Sequence, residues 1–321
     1  MIKLNLHLLI LTLSDMNSLI KNLLFKNVEK IQTFYIMRLA KNQVEEKVFL
    51  KKDNSDIDIT AHHGMICLDP FCIAIWLPHG RLNLIDPQSV KIQFKKGSKL
   101  NATIKVSLIE KIPTDKGGLL LYKIEKVKNH QLTALHRLAL FAYFLRAKTN
   151  TYYSRRFISA LYSYPRKIII VSYKDDNYYN IFPMDIQGYI PEEDLYILGL
   201  RTTNVTLNKI LEAKKVVVCD TDSVDINTVY NLGKHSSAAP TPVENLPFGT
   251  TESELFGFPI PDFTGSYKEI EILQHKKMGY HMLMVGKVLN TKKIKENSSS
   301  LYHIGFLQYQ RGNYKSIEGL F

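Results

Sequence analysis

The strongest constraint on this chain is a period of two. Val90-Lys91-Ile92-Gln93-Phe94 alternates apolar and polar side chains, and residues 102–108 do the same. Such alternation turns one face of an extended strand toward a core and the other toward water. Ile57, Ile59 and Ala61 also alternate with polar residues. The apolar runs 65–68 and 71–77 are separated by the turn signal Asp69-Pro70, and Gly117-Gly118 breaks the chain before the apolar run 119–127. Short strands at this spacing predict a β-rich domain from residue 46 to about 128, a small barrel or sandwich.

Between residues 132 and 147 the period changes. Leu132, Leu135, Leu138, Ala139, Ala142 and Leu145 fall on one helical stripe, with His136, Arg137 and Arg146 off it. This predicts a helix that bridges two halves and ends at Thr149-Asn150-Thr151. From Ile168 the β pattern returns: a strand over 168–173, a hairpin turn at Lys174-Asp175-Asp176-Asn177, and strands over 178–181 and 195–200. Thr203 or Asn204 is placed to cap a helix through Ile210 and Ala213. A strand follows over 216–219, then a helix capped by Ser223 and closed by Gly233. Residues 240–263 read as a long Pro/Gly/Phe-rich loop, and 269–273 with 281–289 as a last hairpin. No internal repeat is visible. The expected division is an extension over 1–45, a β-rich domain over 46–150 and a second domain over 151–321.

A chain of 321 residues suits two such domains. Its 45% hydrophobic and 22% charged residues exclude a disordered chain or a membrane bundle. The net charge of +12 favours anionic partners, whether phosphorylated cofactors, nucleic acid or acidic lipid. The lysines are scattered, however, and form no block of like charge. Three cysteines, Cys67, Cys72 and Cys219, argue for a reducing, cytoplasmic setting rather than a disulfide framework. The apolar run 4–13 is too short to span a bilayer and lacks a small-residue cleavage site, so neither a membrane span nor a signal peptide is expected. Met16 and Met37 leave open a later start, with residues 1–36 outside the true protein.

Several chemistries find no motif. No glycine-rich dinucleotide or Walker loop, G-x-S-x-G elbow or CxxC pair occurs. His62, His63, Cys67 and Cys72 are ligand types that zinc accepts. The two cysteines lie in apolar runs, where free cysteine acts as a small hydrophobe, so no metal site is expected. Tyr152, Tyr153, Arg155 and Arg156 form an aromatic-basic cluster of the kind that stacks on single-stranded nucleic acid. No RNP-type motif accompanies it; a helix surface is the plainer reading, and nucleic acid is not the expected partner.

Two segments carry chemistry. In Leu198-Gly199-Leu200-Arg201-Thr202-Thr203-Asn204-Val205-Thr206, a strand passes through polar residues into a helix. Helix N-terminal N–H groups, the Arg201 fork and the hydroxyls of Thr202, Thr203 and Thr206 suit a phosphate. A plain N-cap beside an exposed arginine is the other reading. In Gly279-Tyr280-His281-Met282-Leu283-Met284-Val285-Gly286-Lys287-Val288, glycines fit a tight turn and a close backbone approach. His281 either faces a ligand or is a satisfied hairpin histidine. A third segment, Leu232-Gly233-Lys234-His235-Ser236-Ser237, offers small hydroxyls or is simply a helix end and a polar loop.

These segments resemble the flavin reductase-like FMN-binding split β-barrel family over roughly residues 155–315. Tyr164-Pro165-Arg166, the strand after it and the return to Asn180 are similar to the family's opening hairpin. The 279–288 segment is similar to its Gly-Asp-His, four strand residues, Gly-x-Val hairpin, with Tyr280 in place of aspartate. Leu301-Tyr302-His303 and Leu307-Gln308-Tyr309 resemble its terminal Leu-x-Tyr strand. The resemblance implies a mainly β fold with a few helices (α+β): an FMN-binding split β-barrel preceded by a small β-rich N-terminal domain. It implies FMN as cofactor, NADH or NADPH as co-substrate, hydride transfer from nicotinamide to flavin, and a homodimer with flavin at the interface. The implied cofactor-binding residues are Arg201, Thr202, Thr203, Asn204, Thr206, Met184, Asp185, Lys234, His235, Ser236 and Ser237, with His281 facing flavin or nicotinamide as the catalytic residue. Two departures stand out. Phe182-Pro183-Met184-Asp185 replaces a Ser/Thr-bearing strand, and Glu192-Glu193-Asp194 replaces Asp-Pro-Pro. The competing expectation is a non-catalytic split-barrel module, for a protein or nucleic-acid partner, that has lost flavin.

Overall fold

The structure, a computed structural model, describes residues 31–311 and Tyr314, apart from positions 32, 53–54, 84–89, 147–151, 235 and 297. The apolar run at 4–13 lies outside the described residues. The fold is mainly β with a few helices. After β1 (Phe34–Ala40), the alternating segments of the first half become β2 (Glu46–Lys52), β3 (Ser55–Asp58), β4 (His63–Leu68), β5 (Phe71–Pro78), β6 (Lys91–Lys96), β7 (Lys99–Pro113) and β8 (Gly117–Asn129). They form one antiparallel sheet in the order β3-β2-β6-β7-β8-β5-β4. The period of two is met in β6, where Ile92 and Phe94 are buried and Gln93 between them is not.

The second half supplies β9 (Arg166–Lys167), β10 (Ile169–Lys174), β11 (Tyr179–Met184), β12 (Gln187–Ile190), β13 (Leu195–Arg201), β14 (Lys215–Cys219), β15 (Thr250–Glu252), β16 (Pro259–Pro261), β17 (Ser266–Lys277), β18 (His281–Lys293) and β19 (Ser299–Gly305). Seven of these form a second antiparallel sheet, β11-β10-β14-β17-β18-β13-β12. No repeat is visible in the sequence, yet the two sheets have the same strand order and the same neighbours. β15 and β16 form a small hairpin inside what the sequence suggests is a loop, and β1-β19-β9 form a third sheet that ties the two chain ends together.

Each large sheet packs one face into its own core. Val48, Leu50, Ile73, Ile75, Phe94 and Tyr122 fill the first, and Ile170, Val171, Val216, Val218, Ile270 and Met284 the second. A third core lies on the seam between them, where Cys67, Cys72, Ala74, Leu119 and Leu121 meet Ile190, Leu195, Ile197, Leu283 and Val285. Runs such as β5, buried on both faces, are apolar without interruption for that reason.

The helices are α1 (His79–Leu82), α2 (Ala134–Arg146), α3 (Tyr152–Leu161), α4 (Val205–Ala213), α5 (Ile226–Lys234) and α6 (Phe306–Arg311). Four local expectations are corrected. In α2, Leu135 and Leu138 are 47% and 45% exposed; the helix instead buries Leu140, with Leu132 just before it, against Ile31, Tyr35 and Phe306. Asp225 rather than Ser223 caps α5, its carboxylate accepting the Thr228 N–H at 3.0 Å, and Gly233 lies within that helix. Leu307-Gln308-Tyr309 is helical, within α6, not a strand. The alternation through Ile57, Ile59 and Ala61 is a strand only as far as Asp58, and Ala61 lies in a turn.

Candidate functional site

β13 and β18 run side by side with Arg201 opposite His281. Beyond Arg201 the chain turns through Thr202 and Thr203 into α4. Asn204 is its N-cap: the backbone is extended, the side-chain oxygen accepts the Thr206 N–H at 2.9 Å, and its carbonyl accepts the Leu207 N–H at 3.1 Å. The Thr202 N–H and hydroxyl both donate to the Tyr280 carbonyl, at 3.0 and 3.3 Å. The Val205 N–H donates to Ser237 Oγ at 3.1 Å. Thr206 is fully buried in a directed chain: Asn180 Nδ2 donates to its hydroxyl (2.8 Å), which donates to Tyr178 Oη (2.7 Å), which donates to the Ser237 carbonyl (2.7 Å).

Arg201, Thr202, Asn204, Thr206 and Ser237 therefore come together, and Thr203 is exposed on the same turn. Arg201 is exposed and lies 5.8 Å from the Tyr280 ring centroid. Lys234 reaches Asn231 at 3.3 Å, Ser236 forms a bridge with Ala239, and His235 lies outside the described residues. Asn204 and Ser237 already take the Thr206 and Val205 N–H groups, and Arg201 is the charged donor exposed at this turn.

His281 opens β18 and is 1% exposed. Its Nδ1 lies 3.5 Å from both the Leu68 N–H and Cys67 Sγ. An N–H donated to Nδ1 puts the ring proton on Nε2, and Nε2 is buried with no hydrogen-bond partner among the described residues. Burial, reinforced by the Arg201 charge, pulls this imidazole down to about 4, so it is neutral near pH 7. Gly279 has φ 91, and a Cβ there would lie 2.4 Å from the Asp69 carbonyl, which accepts the Tyr280 N–H at 2.8 Å. The glycine is fixed by that close approach.

Met184 and Asp185 are engaged elsewhere. Met184 packs against both main cores. Asp185 accepts the Tyr162 hydroxyl and His303 Nδ1–H, both at 2.7 Å. Burial alone would raise its carboxyl; His303, Tyr162 and Arg166 outweigh that and hold it below the ordinary carboxylate value. Cys67 and Cys72 pair across β4 and β5, but the two histidines are engaged elsewhere. His62 meets Glu192 at 2.8 Å, His63 Nδ1 donates to the Ile59 carbonyl at 3.0 Å, Cys67 Sγ donates to the Met278 carbonyl at 2.8 Å, and Cys72 is buried in the seam. Of the aromatic-basic cluster, Arg156 Nη2 donates to the Val127 carbonyl at 3.3 Å, while the side chains of Tyr152, Tyr153 and Arg155 lie outside the described set.

Sequence reasoning missed the contributions of Cys67, Leu68 and Asp69 from the first half. They lie more than two hundred positions from His281, and nothing local marks them. An open depression of about 480 Å³, flanked by Lys174, Asp175, Asn177, Tyr179 and Glu252, contains none of the expected site residues. Among the described residues no helix is long and apolar enough to cross a membrane.

No family model matches the chain, and no curated protein matches it. Solved structures do. An FMN-binding protein from Thermus thermophilus, with bound p-hydroxybenzaldehyde, is 21% identical with a TM-score of 0.36, over 40% of this chain and 73% of that one. An NADH:FAD oxidoreductase from Streptomyces globisporus is 11% identical with a TM-score of 0.42, over 49% and 90%. The flavin reductase HpaC, complexed with NADP+, is 18% identical with a TM-score of 0.38, over 44% and 86%.

Proposed function

We propose that the protein binds FMN and acts as an NAD(P)H-dependent flavin oxidoreductase. The observation that carries this reading is the meeting of an exposed arginine-threonine turn with a buried, neutral histidine whose Nε2–H has no partner among the described residues. Arg201, with Thr203, Ser236 and Ser237, would hold the phosphate through a charged fork and hydroxyls, while Thr202, bonded to the Tyr280 carbonyl, would shape the turn. His281 would offer its Nε2–H to a ring acceptor at the other end of the site. FMN, when bound, supplies the hydride chemistry; the protein's part is to bind, orient and exclude water. A neutral His281 donates a hydrogen bond without placing a positive charge beside the ring.

Fluorescence titration tests this directly. FMN emission is expected to be quenched by the wild-type protein. Arg201→Ala is expected to weaken binding by about tenfold or more, the loss of one charge-assisted hydrogen bond. Protein that leaves FMN fluorescence unchanged would refute the proposal.

A second reading is favoured by specific observations. The first two N–H groups of α4 are already taken by Ser237 and Asn204, and Asp185 is committed to Tyr162 and His303. A binding module without flavin would have these features, and would give no quenching and no NAD(P)H oxidation.

A further inference from the structure

We infer that this chain consists of two copies of one seven-stranded unit joined end to end, that the first copy occupies in cis the place of a two-fold partner, and that only the second copy keeps a ligand site. The first two parts stand on topology and contacts alone; the third rests on the flavin reading above.

The two sheets correspond strand for strand: β2 to β10, β3 to β11, β4 to β12, β5 to β13, β6 to β14, β7 to β17 and β8 to β18. The irregularities correspond too. In β7–β8 the register slips between Lys105 and Val106 and again between Leu108 and Glu110; in β17–β18 it slips between Glu269 and Ile270 and again between Ile272 and Gln274. Aligning the first pair of slips aligns the second, and brings the first residue of β8, Gly117, onto the first residue of β18, His281. Bulges are specific local features, so a matching pair at matching positions is a signature of common design rather than of sheets in general.

The two copies then face each other as two-fold partners do. Gly64 and Gly188 are counterparts by register: Gly64 pairs with Ala74 in β5, Gly188 with Ile197 in β13. They also touch. A Cβ on Gly64 would lie 3.1 Å from the Gly188 Cα, and a Cβ on Gly188 would lie 3.1 Å from the Gly64 Cα. A residue meets its own counterpart only on a two-fold axis. Away from the axis the same two places meet again, through different atoms. The Tyr280 N–H donates to the Asp69 carbonyl at 2.8 Å, and the N–H of its counterpart Lys116 donates to Glu193 Oε1 at 2.7 Å. The seam core draws matching positions from both copies, Leu119 with Leu283 and Leu121 with Val285.

The symmetry fails where the ligand would bind. Opposite each other in the second copy stand Arg201 and His281; in the first copy the same places hold Pro78 and Gly117. The nine-residue α4 is matched by the four-residue α1. Gly97 and Ser98 alone join β6 to β7, whereas α5 and the β15–β16 hairpin lie between β14 and β17. The first copy gives its partner's site Cys67, Leu68 and Asp69 in place of a site of its own.

The isologous face is thus already covered within one chain. Light scattering coupled to size exclusion, on the unmodified full chain over a wide concentration range, is expected to give the 37.0 kDa monomer. A stable dimer would overturn the inference. Gly64→Val and Gly188→Val should lower the melting temperature by similar amounts and red-shift the emission of Trp76, the single tryptophan, which lies 3% exposed on the seam. A variant with unchanged melting temperature would overturn the on-axis contact. Titrated FMN should saturate at one per chain, and two per chain would overturn the loss of the first site. A monomer that binds no FMN would leave the duplication standing and remove only the flavin reading.

Discussion

At the scale of single residues, two buried imidazoles set an acid limit. Burial, with Arg166 nearby, pulls His63 down to about 4, and burial with Arg201 does the same to His281. Both folded values lie below the ordinary 6.5, so between them protons bind the unfolded chain more readily than the native one. Stability from this source is complete above pH 6.5 and falls as pH drops toward 4, by on the order of 3 kcal/mol for each histidine. Urea unfolding across that window should show the decline, and His63→Gln should remove about half of it. Thr206→Val is expected to cost about 1–3 kcal/mol, because it removes the buried hydroxyl that accepts from Asn180 Nδ2 and donates to Tyr178 Oη while leaving the volume unchanged; the urea midpoint measures this. Arg201, Asn204 and Thr206 are legible in the sequence because a cap is written in adjacent residues. The partners of His281 are not, because Cys67 to Asp69 reach it only through tertiary structure. His281 also shows why a hairpin histidine is ambiguous in sequence: one nitrogen faces a structural donor and the other has no partner.

At the scale of elements, period-two patterns are reliable because a strand with one wet face has little choice of register. β5, β6, β7, β8, β10, β13, β14, β18 and the α4 cap lie where alternation, apolar runs and turn residues put them, whereas β1, β12 and the β15–β16 hairpin carry no such pattern. Helix faces are less legible. The stripe through Leu135 and Leu138 is apolar, yet α2 turns Leu140 inward because its packing surface is the small cluster around Ile31, Tyr35 and Phe306. Leu138→Lys should therefore change stability by no more than about 0.5 kcal/mol. Leu140→Ala should cost about 2–4 kcal/mol. Melting of the two variants side by side tests which face is buried. Asp225→Ala, by removing the α5 cap, should cost about 1 kcal/mol by the same measurement. Residues 307–309 form a helix rather than a strand because they pack onto β1 and Leu132, a contact that no local pattern announces.

At the scale of the whole molecule, the seam is held by one acid as well as by apolar area. Glu193, 4% exposed, accepts from the Thr114 hydroxyl at 2.6 Å, the Lys116 N–H at 2.7 Å and Trp76 Nε1 at 3.3 Å. Glu193→Ala leaves the Lys116 N–H without its acceptor and is expected to cost about 3 kcal/mol. A lowered urea midpoint together with a red-shifted Trp76 emission would register it. The duplication is illegible in sequence because only shape was kept: Gly117 and His281, or Pro78 and Arg201, share a place in the sheet and nothing else. The pairing of β1 with β19 has a separate consequence, for how the chain is made. Phe34–Ala40 is synthesised long before its neighbour Ser299–Gly305. Both seven-stranded units can form from local hairpins during synthesis, but β1 cannot find its neighbour until β19 has been made. Closing so long a loop is slow relative to hairpin formation. Both faces of β1, Ile36 on one and Met37 and Leu39 on the other, then lack this neighbouring strand until β19 is made, an interval in which a nascent chain needs a chaperone.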